Sequence, residues 1–212
     1  FDTGSALFQT ADEYERLVAN PIRDEKEMSK RQLVAAETQR GAIRLSQVNP
    51  ESDPIDSVGG VSFRHLSMLA QIKSSDEDVW SSLNRSGHIE GDPSDSLRVR
   101  LARMRSWIGG PHFPEDAKLE IQSEIGDDAR AEIGRDGIAF LRKLSDLLSE
   151  CEWTDAGIGE SISKACDSTG ISRKEGFASI YWAIIGRRHG PKASSLLFEI
   201  DRGDVVSLIG SS

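Results

Sequence analysis

Apolar residues in this chain recur at helical intervals, and no stretch of clean alternation is long enough to build a sheet. Leu97, Leu101, Met104 and Ile108 give the clearest case, because steps of four, three and four lay all four side chains on one stripe of a helix. The pattern predicts an all-α fold, a multi-helix bundle or cage of about nine to eleven helices. Helices are expected from near Thr10, over residues 24–40, 62–72 and 75–86, and over 94–108. A further block should cover about 127–149, 154–168, 172–185, 191–200 and 201–209. Thr10 is expected to cap the first, Asn20-Pro21 to stop it, and Gly41 to cap the end of the second.

Residues 46–60 carry two prolines and a Gly-Gly pair among small polar residues, which is linker composition. That divides the chain into 1–45, the linker 46–60, 61–125 and 126–212, and no repeat period is visible. At 212 residues the chain can bury a core of its own. The longest apolar run, residues 180–185, is far too short to cross a bilayer. Two cysteines, Cys151 and Cys166, support neither a disulfide scaffold nor a structural zinc site, so a reducing, cytoplasmic setting is expected. The first residue is Phe1, and the chain reads as a piece of a longer or processed one.

Diagnostic catalytic spacings are missing: there is no phosphate-binding loop, nucleophile elbow or zinc-binding helix motif. His65, His88, His112 and His189 lie far apart, so no metal site is expected, and acid runs such as Asp76-Glu77-Asp78 suit helix starts better than catalysis. No catalytic residue is assigned. A net charge of -9 repels polyanions at long range, so any nucleic-acid surface must be a local basic patch. Two clusters qualify. One is Arg98, Arg100, Arg103 and Arg105, for which a solvated helix face is the simpler account. The other runs Arg187-Arg188-His189-Gly190-Pro191-Lys192 at a helix junction, where cations could either grip a phosphate or cap the preceding carbonyls. Trp80, Trp107, Trp153, Phe140, Phe177 and Phe198 fall on apolar stripes and are expected in the core, whereas Tyr181-Trp182 could include one exposed ring.

Several separated strings resemble one family, the class I lysyl-tRNA synthetases, in the part that follows the catalytic domain. Phe1-Asp2 with Asp12-Glu13-Tyr14-Glu15-Arg16-Leu17 resembles the segment after that family's KMSKS-type loop. Val61-Ser62-Phe63-Arg64-His65-Leu66 with Gln71 resembles the helix that opens its helical region. Arg103-Met104-Arg105-Ser106-Trp107-Ile108 with Phe113-Pro114-Glu115, and then Ile180-Tyr181 with Gly190-Pro191-Lys192, match further segments in order. Ala193-Ser194-Ser195 and Pro111-His112 depart from the family pattern.

The resemblance implies a connecting helical segment in 1–45, a helical cage in 61–125 and an anticodon-binding subdomain in 126–212. It implies recognition of lysine tRNA, with Arg64, Arg98, Arg103, Arg105, Arg187, Arg188 and Lys192 as the RNA-contacting candidates. Lysine activation with ATP and Mg²⁺ would belong to an N-terminal catalytic domain whose motifs are missing here, so no cofactor is expected in this chain and it should not aminoacylate alone. No membrane partner is expected. The rival reading is a stand-alone acidic helical module that binds proteins, supported by the charge balance and the charged helix over 24–40.

Overall fold

A computed structural model describes residues 5–19, 28–46, 49 and 60–211. Among them it forms ten α-helices, one short 3-10 turn at Glu115–Ala117 and no strand, so the fold is all-α as the periodicity predicts. The chain divides into two compact units, Phe1–Lys118 and Leu119–Ser212.

In the first unit the helices are α1 (Ser5–Ala19), α2 (Lys30–Ser46), α3 (Phe63–Ile72), α4 (Asp76–Arg85) and α5 (Asp95–Ile108). Ser62, Ser75 and Ser94 cap α3, α4 and α5, each side chain accepting from a backbone N–H three residues on. Leu66 and Leu69 of α3, Val79 and Leu83 of α4, and Leu97, Leu101 and Met104 of α5 form one buried cluster, so the predicted α5 stripe is the inward face. Phe8 of α1 closes its edge, with its ring 5.4 Å from Phe63 and 6.0 Å from Trp107.

Two of the expected boundaries are corrected here. Helix α1 is already running at Ser5, and the Thr10 hydroxyl donates to the carbonyl of Ala6 2.9 Å away instead of capping. Helix α2 starts at Lys30 through a reciprocal cap, in which Gln32 Oε1 accepts from the Ser29 N–H at 2.9 Å and Ser29 Oγ faces the Gln32 N–H at 3.4 Å. It then passes straight through Gly41 to Ser46. The expected Asn20-Pro21 stop, the start at Asp24 and all of the linker except Ser46, Asn49 and Gly60 lie outside the described residues.

Arg100 of α5 is half-buried and donates to the Val61 carbonyl at 2.9 Å while meeting Glu15 of α1 at 3.5 Å. Burial pushes the Glu15 carboxyl above its usual range, against the Phe63 N–H and the Arg100 charge, which both pull it down. The same burial lowers the basicity of Arg100. This arginine therefore ties α1 to the start of α3.

In the second unit the helices are α6 (Asp127–Glu150), α7 (Asp155–Thr169), α8 (Arg173–Ile185), α9 (Ala193–Phe198) and α10 (Arg202–Gly210). Phe140, Leu141, Leu144 and Leu148 of α6 are fully buried and form the spine against which α7, α8 and α10 pack. Helix α8 approaches that spine closely. A Cβ on Gly137 would lie 2.5 Å from Ser179 Oγ, and one on Gly176 would lie 3.3 Å from the Phe140 ring. Helix α6 is kinked at Gly134, whose φ of 66° and ψ of -179° are accessible only to glycine.

The start of α9 is occupied by a carboxylate of the chain itself. Asp155 accepts from Ser195 Oγ at 2.8 Å and from Lys192 Nζ. Burial raises the Asp155 carboxyl, but the hydrogen bonds from Lys192, Ser195 and Ser194 outweigh it and hold it below the ordinary 3.8. The stability it contributes is therefore present above that value and lost as pH falls through the folded value. Because both partners are largely exposed, the pair is worth about 1 kcal/mol or less. Urea unfolding should show Asp155→Asn less stable than the wild type at pH 7, with the two converging below about pH 3.8; a constant gap across pH would contradict this.

Candidate nucleic-acid interface

Two of the four basic candidates of the first unit are engaged within the fold. Arg105 donates through Nε to Asp76 at 2.7 Å and through Nη1 to the carbonyls of Ala70 at 3.1 Å and Lys73 at 3.3 Å, so it caps the C-terminal end of α3. Arg64 pairs with Asp12 at 2.6 Å and lies over the Phe8 ring, 5.1 Å from its centroid. Arg98 is exposed, with its guanidinium 6.0 Å from the Trp80 centroid, and Arg103 is exposed on α5. The structure thus leaves Arg98 and Arg103 facing solvent and sets Arg64 and Arg105 against carboxylates.

In the second unit, Lys192 is paired with Asp155 and Arg187 is half-buried with partners inside the fold. Arg188 is exposed and sits in a different setting. It lines a cleft of about 330 Å³ together with Lys174, Phe177, Ala178, Tyr181, His189 and Gly190. It also lines a neighbouring cleft of about 380 Å³ that contains Trp182.

Local sequence explains how α8 presents these groups. Ser172 caps it in a box with Glu175, whose N–H lies 3.2 Å from Ser172 Oγ while the hydroxyl donates back to its carboxylate at 2.7 Å. Lys174, Phe177, Ala178 and Tyr181 then follow at i, i+3, i+4 and i+7 and share a face. The helix ends at Gly186 in the left-handed conformation, φ 63°, which turns the chain so that residues 188–190 come back over that face. Gly190 fits there because it has no side chain: a Cβ would lie 2.7 Å from Ile185 Cδ1 and 2.9 Å from Tyr181 Cδ1. The Tyr181 hydroxyl donates to the Pro191 carbonyl at 2.5 Å, and burial pushes its pKa up. The ring is therefore held rigidly at the cleft wall.

Of the aromatics expected in the core, Phe140 and Phe198 are buried, and Trp80, Trp107 and Trp153 are half-buried. Phe177 is a correction. It is 37% exposed and lines the cleft, because α8 is apolar around most of its circumference and only one side of it packs on α6. Sequence reasoning passed over Lys174, whose signal was its spacing from Phe177 and Tyr181, and counted His189 in the basic cluster without making it a contact candidate. The chemical resource assembled is a set of cations beside aromatic faces. Such a surface accepts phosphates on one group and bases on the other.

No family model matches the chain. Curated relatives do. Over 213 residues it is 25% identical to the lysine–tRNA ligase of Thermoplasma volcanium, covering 100% of this chain and 38% of that protein. It is 25% identical over 169 residues to the Pyrococcus horikoshii enzyme, covering 77% of this chain and 32% of the relative. The Aeropyrum pernix enzyme is 28% identical over 167 residues, covering 74% and 30%. The chain resembles the C-terminal region of class I lysyl-tRNA synthetases. It spans about a third of the length of the lysine–tRNA ligases it matches. Among the described residues no three His, Cys, Asp or Glu side chains converge to hold a metal ion. No described helix is long and apolar enough to cross a membrane.

Proposed function

We propose that this chain is the tRNA-binding, anticodon-recognising region of a lysine–tRNA ligase, acting in the cytoplasm in support of ATP-dependent attachment of lysine to its tRNA. The observation that carries the reading is the α8 cleft, where Lys174 and Arg188 stand beside Phe177 and Tyr181 in a chain whose whole length aligns with 38% of one such enzyme. Arg188 and Lys174 would hold phosphates, and the rings would stack unpaired bases, each worth about 1–3 kcal/mol. Arg98 and Arg103 of the first unit would add backbone contacts. Arg64, Arg105, Arg187 and Lys192 would contribute only by exchanging the contacts they now make. ATP and Mg²⁺ would act in the N-terminal catalytic part of the relatives, and the work done here would be positioning: binding energy spent at the anticodon holds the acceptor end in place for chemistry elsewhere.

Filter binding of lysine tRNA to the 212-residue chain tests this. Saturable binding that weakens steeply with salt and prefers lysine tRNA over a tRNA of unrelated anticodon is expected. Equal affinity for both, or none for either, would overturn the proposal.

A further inference from the structure

The two clefts beside α8 are neighbours that share two lining residues, Ala178 and Arg188. Around the helix axis, Phe177, Tyr181 and Lys174 lie to one side of Ala178, and Trp182, Glu175 and Ser179 to the other. Ala178 is therefore the crest of a low ridge between two hollows, and its methyl group is small enough to leave the crest passable. Arg188 reaches both sides from the turn after α8. With volumes of about 330 and 380 Å³, each hollow is at the small end of ligand pockets.

Their charge differs in a way that assigns roles. The Phe177–Tyr181 hollow contains Lys174, Arg188 and His189 and no carboxylate. The Trp182 hollow contains Glu132, Asp136 and Glu175 along with Arg135 and Arg188. Carboxylates repel a phosphate but accept hydrogen bonds from the N–H groups of a base. A phosphodiester thus belongs on the ridge at Arg188, with only the base edge entering the Trp182 hollow.

Resting on the reading of an RNA-binding region, we infer that the two hollows take two consecutive nucleotides of single-stranded RNA splayed across Ala178. One base stacks at Phe177 and Tyr181, the next enters beside Trp182, and the phosphate between them sits on Arg188. The site unit is a dinucleotide step, not a single base.

Titrating the chain with the dinucleoside monophosphates ApA and UpU, and with AMP and UMP, tests the inference, the readout being the tryptophan fluorescence that Trp182→Phe removes. The dinucleotides should quench that signal and bind at least about tenfold more tightly than the mononucleotides, since each stacked base contributes a factor on that order. Arg188→Ala should weaken dinucleotides and mononucleotides alike, since each carries a phosphate, whereas Ala178→Leu, which raises the ridge, should erase the dinucleotide advantage; the helical circular dichroism should stay intact in both. Dinucleotides binding no more tightly than mononucleotides, or tight binding of lysine tRNA with no Trp182 response, would overturn the two-hollow arrangement and leave the broader reading standing. Failure of lysine tRNA itself to bind would overturn both.

Discussion

Phe140→Ala should cost the second unit about 3–5 kcal/mol, the usual range for truncating a fully buried aromatic ring. Phe140 has no exposed surface, sits in the row of Leu141, Leu144 and Leu148, and lies where a Cβ on Gly176 would already be 3.3 Å from its ring. Neighbours packed that tightly cannot collapse into the space left behind, so both the lost transfer energy and the cavity count. A domain holds only about 5–15 kcal/mol in total, and the loss should appear as a large fall in the urea midpoint for this unit. Phe177→Ala is the internal comparison. One residue beyond the buried Gly176 of α8, about 100° around the helix, the difference is solvent: Phe177 is 37% exposed, and its truncation should cost under about 1 kcal/mol. Equal losses for the two phenylalanines would mean that the assignment of spine and cleft is wrong.

That pair also shows what the sequence could and could not reveal. Periodicity placed both rings on helices and treated both as core, because an apolar residue on an apolar stripe carries no mark of which neighbour covers it. The helix starts at Ser62, Ser75, Ser94, Thr154, Ser172 and Asp201 are legible for the opposite reason, since these side chains satisfy donors only a few residues away. Gly41 misled because a helix interior tolerates a single glycine at about 1 kcal/mol, and the decisive start signal was the Ser29–Gln32 cap. The arginines of α5 were visible as a cluster, but their division was not. Arg100 and Arg105 reach carbonyls 39 and 35 residues away in sequence, and contacts of that range leave no local trace. The clefts of α8 depend on how residues 188–190 return over the helix, which Gly186 and Gly190 permit and only the folded chain displays.

Reversing the charge of the exposed cleft cations, with Lys174→Glu and Arg188→Glu together, should weaken binding of lysine tRNA by at least about tenfold near 0.1 M salt. It should also flatten the dependence of log affinity on log salt by about 1–2 units, as expected when two phosphate contacts are lost. Both side chains are exposed and neither is used by the fold in an ion pair among the described residues, so the unfolding free energy should stay within about 0.5 kcal/mol of wild type. Arg105→Gln gives the converse profile: it removes the cap on α3 and the Asp76 pair, so stability should fall while tRNA affinity holds. If the double reversal left both affinity and salt slope unchanged, the α8 cleft would not be the RNA-facing surface.

The break at Gly134 divides α6 into two levers of unequal anchorage. The front seven residues, 127–133, are pinned by Ala129 and Ile133, whereas the longer stretch behind is pinned by the whole leucine row. Because residues 132–137 also form one wall of the Trp182 hollow, the kink lies within that wall while the hydrophobic spine runs on from the longer stretch. A single achiral residue thus sets the angle at which the two parts of that wall meet.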